Sequence, residues 1–576
     1  MVECKVPSQI HKEQRILKET KAQRTERFKL EKNPWNALDE IRRFAKEGRS
    51  SVLPEWASLY FKWWGIYTQG DGLGVLGGRG GEGEANEYFM LRVGIPNGRI
   101  TSNQLRTIAE ISRKYGRNLV DITVRQSIQL HWLPIEAIPE VIDLVTAAGL
   151  SPKGACGDVV RNVTGCPVAG VAQDEMLDAS GLAIAAHRLL AGNSEFYNLP
   201  RKFKISITGC PLWCSYPEIN DIALTPVRRG GEVGFSVRVG GGLSADPHLA
   251  VRLNAFVRHD QALDVLRGIT EIFREQQGLR QSRDRARLKH LFLKEGWTAD
   301  RFLDELHGRL PFTLEPAAAE VVPADVNRDH VGVHRQRQPE LFYVGAAVLR
   351  GRLTGDQLEA AANLADRFAD GELRTTVMQN LLILNVPRQN VDALVKELAA
   401  IQLRVEGSPF FRGAITCTGT EFCKLAITET KEFARWLVDE LDTRLPNFDQ
   451  QLKLHVTGCP NSCGQHWIAD IGIEGKKLKQ DGGWIDAYYF CVGGGVGTQA
   501  SIARPVGYRC PATEIPEAIE RLLVTYLSQR NGEENLQSFF RRSSNEDLRA
   551  FLTGQAAAPS VARDLPQERV PVGVAE

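Results

Sequence analysis

The sequence predicts an α+β protein made by tandem duplication of a unit of about 250 residues, so that the chain carries a pseudo-two-fold axis. Two observations carry this. First, three stretches recur in one order at nearly one offset. LRVGIPNGRITSNQLRTIAEISRKYG (91–116) reads like VGAAVLRGRLTGDQLEAAANLADRFA (344–369), with Thr101 and Thr354 253 residues apart. ISITGCPLWC (205–214) reads like LHVTGCPNSC (454–463), with Cys210 and Cys459 249 apart, as are Asp221 and Asp470, and VGGGL (239–243) matches VGGGV (492–496). Second, helical and strand periodicities alternate inside each unit.

Within a unit the elements come in a fixed order. Helices are expected to begin near Ser102 and Asp356, polar N-cap types, because Leu105, Ile108 and Ile111, and Leu358, Ala361 and Leu364, fall on one helical face. Paired short strands come next: LVDITV (119–124) with SIQLHW (127–132), and ELRTTV (372–377) with NLLILNV (380–386). A second helix closes each unit, PEVIDLVTAAG (139–149) and NVDALVKELAA (390–400). This strand–helix–strand–strand–helix order predicts a sheet covered on one face. Residues 311–340 are Pro/Ala-rich and polar and read as a linker; about the last 20 residues read as disordered. Residues 1–50 hold 13 Lys/Arg against 8 Asp/Glu, which reads as a solvated helical arm.

Composition narrows the function. Of 576 residues, 71 Lys+Arg stand against 70 Asp+Glu, which argues against nucleic acid or a membrane surface as the main partner. No apolar run is long enough to span a bilayer, and the N-terminus lacks the apolar core of a secretory signal, so the expected location is a reducing cytoplasm. Eleven cysteines are too few to staple a chain of this length, and their clustering points to metal or redox chemistry.

Cys417 and Cys423 form C-x5-C, and Cys459 and Cys463 form C-x3-C. Four thiolates in two close pairs suit a [4Fe–4S] cluster, in which each iron takes one thiolate. Zinc is the rival occupant, although C-x5-C is long for a zinc knuckle. Cys210 and Cys214 are the repeat image of Cys459 and Cys463; their half offers no C-x5-C, the nearest thiol being Cys166, so they read as a relic of duplication rather than a second cluster. Gly72, Gly74 and Gly77 spell G-x-G-x-x-G, but more glycines stand where a helix should open, so no dinucleotide fold is expected there. A redox enzyme without its own nicotinamide or flavin unit takes electrons from another protein.

The chain resembles the siroheme- and [4Fe–4S]-containing sulfite and nitrite reductases of the assimilatory type, over about residues 55–540. The resemblance rests on the paired cysteine motifs, YFMLRVGIPNG (88–98), TVRQSIQLHW (123–132), VVRNVTGCPVAG (159–170) and NLPRKFK (198–204). It implies a six-electron reduction of sulfite to sulfide or nitrite to ammonia, with a ferredoxin as donor. It makes Cys417, Cys423, Cys459 and Cys463 the cluster ligands, and Cys463 also the axial ligand of the siroheme iron. It places Arg92, Arg161, Lys202 and Lys204 on the substrate side, and Arg125, Gln129 and His131 against siroheme. Tyr67 and Cys156 match a pair that is cross-linked beside the heme in some sulfite-reducing relatives. Lys204 stands where plant and cyanobacterial nitrite reductases usually have Asn, which favours sulfite; VRNVTGCPVAG reads more like the nitrite-reductase version of that loop. The implied organisation is an N-terminal helical arm (1–55), a ferredoxin-like half-domain (56–152), a siroheme/substrate domain (153–310), the linker (311–340), a second ferredoxin-like half-domain (341–410), a [4Fe–4S]/siroheme domain (411–545) and a disordered tail (546–576). Two rivals of other classes remain: a binding module whose cysteines hold structural zinc, and an electron-transfer protein with a cluster and no heme.

Overall fold

The computed structural model describes residues 19–69, 87–324 and 328–555. The G-x-G-x-x-G stretch, Cys4 and the last 21 residues lie outside them. Among the described residues no helix is long and apolar enough to cross a membrane.

The two long repeat helices are Ser102–Tyr115 and Gly355–Phe368. Their N-caps are Thr101 and Thr354, one and two residues before the expected starts. Each threonine hydroxyl accepts the backbone N–H three residues on, and Gln104 and Gln357 return the bond to the cap, a reciprocal capping box.

Each helix lies on a five-stranded antiparallel sheet, and the two sheets trade a strand. Ile66–Gln69, Tyr88–Val93, Ile128–Leu133 and Leu119–Ile122 are joined at the edge by Arg352–Thr354 from the other half, with Leu353 opposite Val120. Reciprocally, Gly332–Arg335, Leu341–Ala346, Leu381–Pro387 and Glu372–Thr375 are joined by Arg99–Thr101, with Ile100 opposite Leu373. The expected unit is therefore not a self-contained sheet. The helices pack on each other, and one apolar core runs through both halves from Ile108 and Val120 to Leu358 and Leu373.

Two further sheets repeat a second pattern. Thr164–Gly165, Ile205–Ile207 and Ile222–Arg229 run parallel, succeeded by antiparallel Glu232–Val239 and Val251–Val257. Ala414–Thr416, Leu454–Thr457 and Ile471–Gln480 run parallel, succeeded by antiparallel Gly483–Val492 and Arg504–Pro511. The carboxyl ends of parallel strands are where open α/β sheets gather ligand-binding loops. Both C-x3-C loops leave from such ends.

Three readings of the chain's edges are corrected. The described parts of the segment 311–340 are docked: Gly332–Arg335 is a sheet strand, the Phe256 N–H donates to Glu315 O (2.8 Å), and Arg238 Nη1 donates to Glu320 Oε1 (2.8 Å). The stretch read as tail opens with a helix, Asn545–Thr553, capped by Ser544 and burying Leu548 and Leu552; the Pro/Ala-rich composition begins only after that helix. The N-terminal helix Lys21–Glu31 is not simply solvated. Lys29 is fully buried, donates to Leu199 O (3.0 Å), and pairs with Glu26 (2.6 Å) and Asp158 (3.6 Å). Asp158 also takes both ends of Arg283 (2.6 and 2.9 Å). Burial alone would raise the Asp158 carboxyl, but Arg283 and Lys29 hold it far below the usual range. Removing one partner of a buried ion pair strands the others, so Asp158→Ala is expected to cost about 3–5 kcal/mol in chemical denaturation. An unfolding midpoint equal to that of the unaltered protein would refute this.

Candidate redox centre

Cys417 directly succeeds the strand Ala414–Thr416, and Cys423 ends the short helix Gly419–Phe422. Cys459 and Cys463 sit in the loop after Leu454–Thr457. The Gly458 N–H donates to Cys417 Sγ (3.2 Å), and Asn461 Nδ2 lies 3.6 Å from Cys459 Sγ. Donors aimed at thiolate sulfurs are how a protein tunes an iron–sulfur cluster. Burial pushes Cys423 and Cys459 up to about 12, so these thiols need a strong positive centre to hold them as thiolates. Cys463 alone of the four is exposed, on the open side of the loop. Gly464 behind it is required by close approach: a Cβ there would meet Val456 O at 2.4 Å.

A cationic hollow adjoins this loop. Arg92, Arg125, Arg161, Lys202 and Lys204 are all half-buried. Arg161 is pinned by the carbonyls of Ala155 (3.2 Å) and Gly157 (3.0 and 3.2 Å), and Arg125 by Asn220 Oδ1 (2.8 Å) and Asn162 O (2.5 Å). Arg92 Nε and Arg125 Nε are buried without a hydrogen-bond partner. Among the described residues neither lysine Nζ has a hydrogen bond or an ion pair. Burial, reinforced by Arg201, Arg287 and Arg161 and opposed by Cys463, brings Lys202 down to about 7. Burial, then Arg287, Lys202 and Arg125, depresses Lys204 well below a normal lysine. Burial, then Arg161, lowers Arg125 to about 9. Burial works against the charge of Arg92 too, but the facing Cys156, Tyr67, Cys463 and Cys423 outweigh it and raise its pKa. These mutual influences tie the cations and Cys463 to one space. Crowded cations with unpaired donors are built to receive anions.

Tyr67 and Cys156 are brought together around Arg92, whose Nη1 lies 3.2 Å from Cys156 Sγ and whose guanidinium lies 5.9 Å from the Tyr67 ring centre. Gln129, cross-strand from Arg92, points Nε2 at Met90 Sδ (3.6 Å). His131 lies two residues on from Gln129 in the strand Ile128–Leu133. It is fully enclosed, its ring stacked on Phe422 at 3.9 Å, Nδ1 3.3 Å from Gln69 Oε1 and Nε2 3.2 Å from Asp121 Oδ2. That sets it against Phe422, the residue next to Cys423.

Sequence reasoning missed the buried charges that frame the site. Asp121 lies against Arg352 (3.0 Å), Lys431 (3.6 Å) and His131. Asp221 takes Arg287 (2.7 Å) and accepts the Lys204 N–H (2.8 Å); its image Asp470 accepts the Lys453 N–H (2.6 Å). The shared 249-residue offset of Asp221/Asp470 and Lys204/Lys453 was the available signal.

Four thiols on loops that open beside a cationic hollow define an iron–sulfur oxidoreductase for an anionic substrate, and known proteins make the assignment particular. Residues 156–313 and 407–555 match the nitrite and sulphite reductase 4Fe-4S domain, and residues 82–148 and 334–401 the nitrite/sulfite reductase ferredoxin-like half domain. The assimilatory ferredoxin-dependent nitrite reductase of Haloferax mediterranei is 38% identical over 87% of this chain and 88% of that protein. Sulfite reductase [ferredoxin] 1 of Mycolicibacterium paratuberculosis is 35% identical over 91% and 96%. The solved structure of the Mycobacterium tuberculosis NirA protein superimposes with a TM-score of 0.86 at 34% identity, covering 91% of this chain and 97% of that one. The chain belongs to the nitrite and sulfite reductase family, oxidoreductases that carry siroheme and a [4Fe–4S] cluster. The zinc-module and heme-free rivals fall with that assignment.

Proposed function

We propose that the chain is a ferredoxin-dependent six-electron reductase whose working anion is sulfite, with Cys417, Cys423, Cys459 and Cys463 as the cluster ligands and Cys463 as the link to siroheme. Lys202 and Lys204, neither ion-paired among the described residues, carry the sulfite reading, because a second amine able to take up a proton beside a bound anion adds attraction for the more highly charged one. When bound, the siroheme and cluster supply the electron path and the iron at which the anion is reduced.

The residues of the chain do the rest. Arg125, with an unpaired Nε, would meet the macrocycle's carboxylates, and Arg92, likewise unpaired at Nε, faces the anion. Arg161, held by two carbonyl oxygens of one turn, presents a fixed charge to the anion. Lys202 can hold or release a proton at Nζ near neutral pH, and each reduction step consumes protons. Tyr67 and Cys156, both beside Arg92, are the candidates for a cross-link. Gln129 and enclosed His131 act as supports rather than contacts. A donor ferredoxin is supported by the names of the relatives and by the absence of a nicotinamide or flavin motif in the sequence. A cytoplasmic location fits cysteines that stand as free thiols among the described residues.

Nitrite is the second reading, favoured by the 38% identity to the Haloferax enzyme. Steady-state rates with both anions and a reduced dye separate the two. On the sulfite reading, kcat/KM for sulfite exceeds that for nitrite, and Lys204→Asn shifts the ratio toward nitrite by about tenfold, the effect of roughly 1.4 kcal/mol of lost attraction. An unchanged ratio in the variant overturns the role given to Lys204.

A further inference from the structure

Cys166, Cys210 and Cys214 stand as a second set of converging thiols, in the half where sequence showed only a relic pair. Their sulfurs all lie within 4.8 Å of one another, and Cys214 Sγ is 3.6 Å from Cys166 Sγ. All three are buried. Among the described residues this is the one group of ligand atoms so gathered.

The set is the pseudo-two-fold image of the cluster loop. Cys166 directly succeeds the strand Thr164–Gly165, as Cys417 does Ala414–Thr416, and both strands run parallel to the next one. Cys210 and Cys214 answer to Cys459 and Cys463. The loop backbone is kept as well. Trp213 and Tyr216 adopt positive φ (50° and 51°), and so do their counterparts Ser462 and Gln465 (54° and 62°). Such conformations are costly for residues with a Cβ and persist where the surroundings demand them. The fourth ligand is the one change: the residue six beyond Cys166 is Ala172, where the other half has Cys423.

Spacing distinguishes the two sites. In a four-iron cube the thiolates sit on separate irons. One tetrahedral ion with metal–sulfur bonds of about 2.3 Å brings its sulfurs to about 3.8 Å. The observed 3.6 Å fits one ion and is far longer than the roughly 2.05 Å of a disulfide. Soft thiolates with no carboxylate in the set select a thiophilic ion. His330, buried with Nε2 unpartnered, is not among the ligand atoms gathered within 4.8 Å. Arg328 is near enough to Cys210 and Cys214 to balance thiolate charge.

We propose that Cys166, Cys210 and Cys214 bind a single zinc ion, in the place where the other half binds its cluster. The ion fastens the loop after Thr164–Gly165 to the loop 208–216, and takes no part in electron transfer.

The test is metal analysis of the anaerobically purified holoenzyme. About one zinc per chain is expected beside the iron. Zinc should be absent from Cys210→Ser and Cys214→Ser, whose iron and visible spectrum persist, and present in Cys459→Ser, whose iron is lost. Should the serine variants fail to fold, the zinc absorption edge of the unaltered enzyme reads the same site: three sulfur neighbours at about 2.3 Å. Chelation of that zinc should lower Tm and leave the visible spectrum unchanged. A holoenzyme without zinc, a Cys166–Cys214 disulfide in non-reducing peptide maps, or iron lost from Cys210→Ser would each overturn the assignment.

Discussion

Cys463→Ser is expected to yield protein that holds neither its full complement of iron nor an extractable macrocycle, and whose sulfite and nitrite reduction falls to background. The serine hydroxyl is too weak an acid to ionise beside a metal as a thiol does, and its oxygen is a hard donor where iron–sulfur centres take soft ones. Cys463 is also the one exposed thiol of the four, beside the hollow where Arg92 and Lys202 respond to its charge. On the proposed assignment, losing it removes a corner of the cluster and the link to the second cofactor together. Cys491→Ser is the control: Cys491 is buried in the strand Gly483–Val492, and its variant should keep both cofactors. Iron content and the visible spectrum of the two variants decide the matter. A fully coloured, iron-replete Cys463→Ser would sink the assignment.

Asp121→Ala should be among the most destabilising single changes, about 3–5 kcal/mol at pH 7, because it leaves buried Lys431 without its carboxylate, beside Arg352, which keeps only Glu421. Burial alone would raise the Asp121 carboxyl. Lys431 and Arg352, with the hydrogen bond from His131, hold it well below the ordinary value instead. Since the folded value lies below the unfolded one of about 3.9, the stabilisation is complete above that pH and is lost as pH falls through the folded value. Urea unfolding should therefore show a wide gap between the parent protein and the variant at neutral pH that narrows below about pH 4. A gap independent of pH would mean that something other than the carboxylate charge is responsible.

Local structure was legible wherever periodicity and repetition agreed. The helices at 102–115 and 355–368 and the strands at 119–122 and 381–387 lie within a few residues of their expected places, because each is amphipathic at the right spacing and its counterpart carries the same signal. The cysteine pairs were legible because metal ligands come at short spacings. What composition concealed was long-range. A Pro/Ala-rich segment reads as free chain, yet Arg238 and Phe256 hold 315–320 in place. A surplus of positive charge reads as solvated, yet Lys29 finds Asp158 across the molecule. His131 matched a motif by position, but whether a side chain stands open or enclosed depends on partners such as Phe422, nearly 300 residues away in sequence.

The traded edge strands bear on how such a molecule can arise and be made. Arg99–Thr101 waits for Glu372–Thr375, and Leu119–Ile122 for Arg352–Thr354, so neither sheet is complete until most of the chain has left the ribosome. Contacts of such sequence separation slow folding and leave edges exposed to aggregation in the interval. Cutting the chain between its halves would not yield two independent pieces; each would need its sister to supply a missing edge. The same reciprocity is what a domain-swapped homodimer of the single unit would show. A progenitor of that kind would have had two equivalent cysteine loops, and fusing its subunits into one polypeptide released one of them to change.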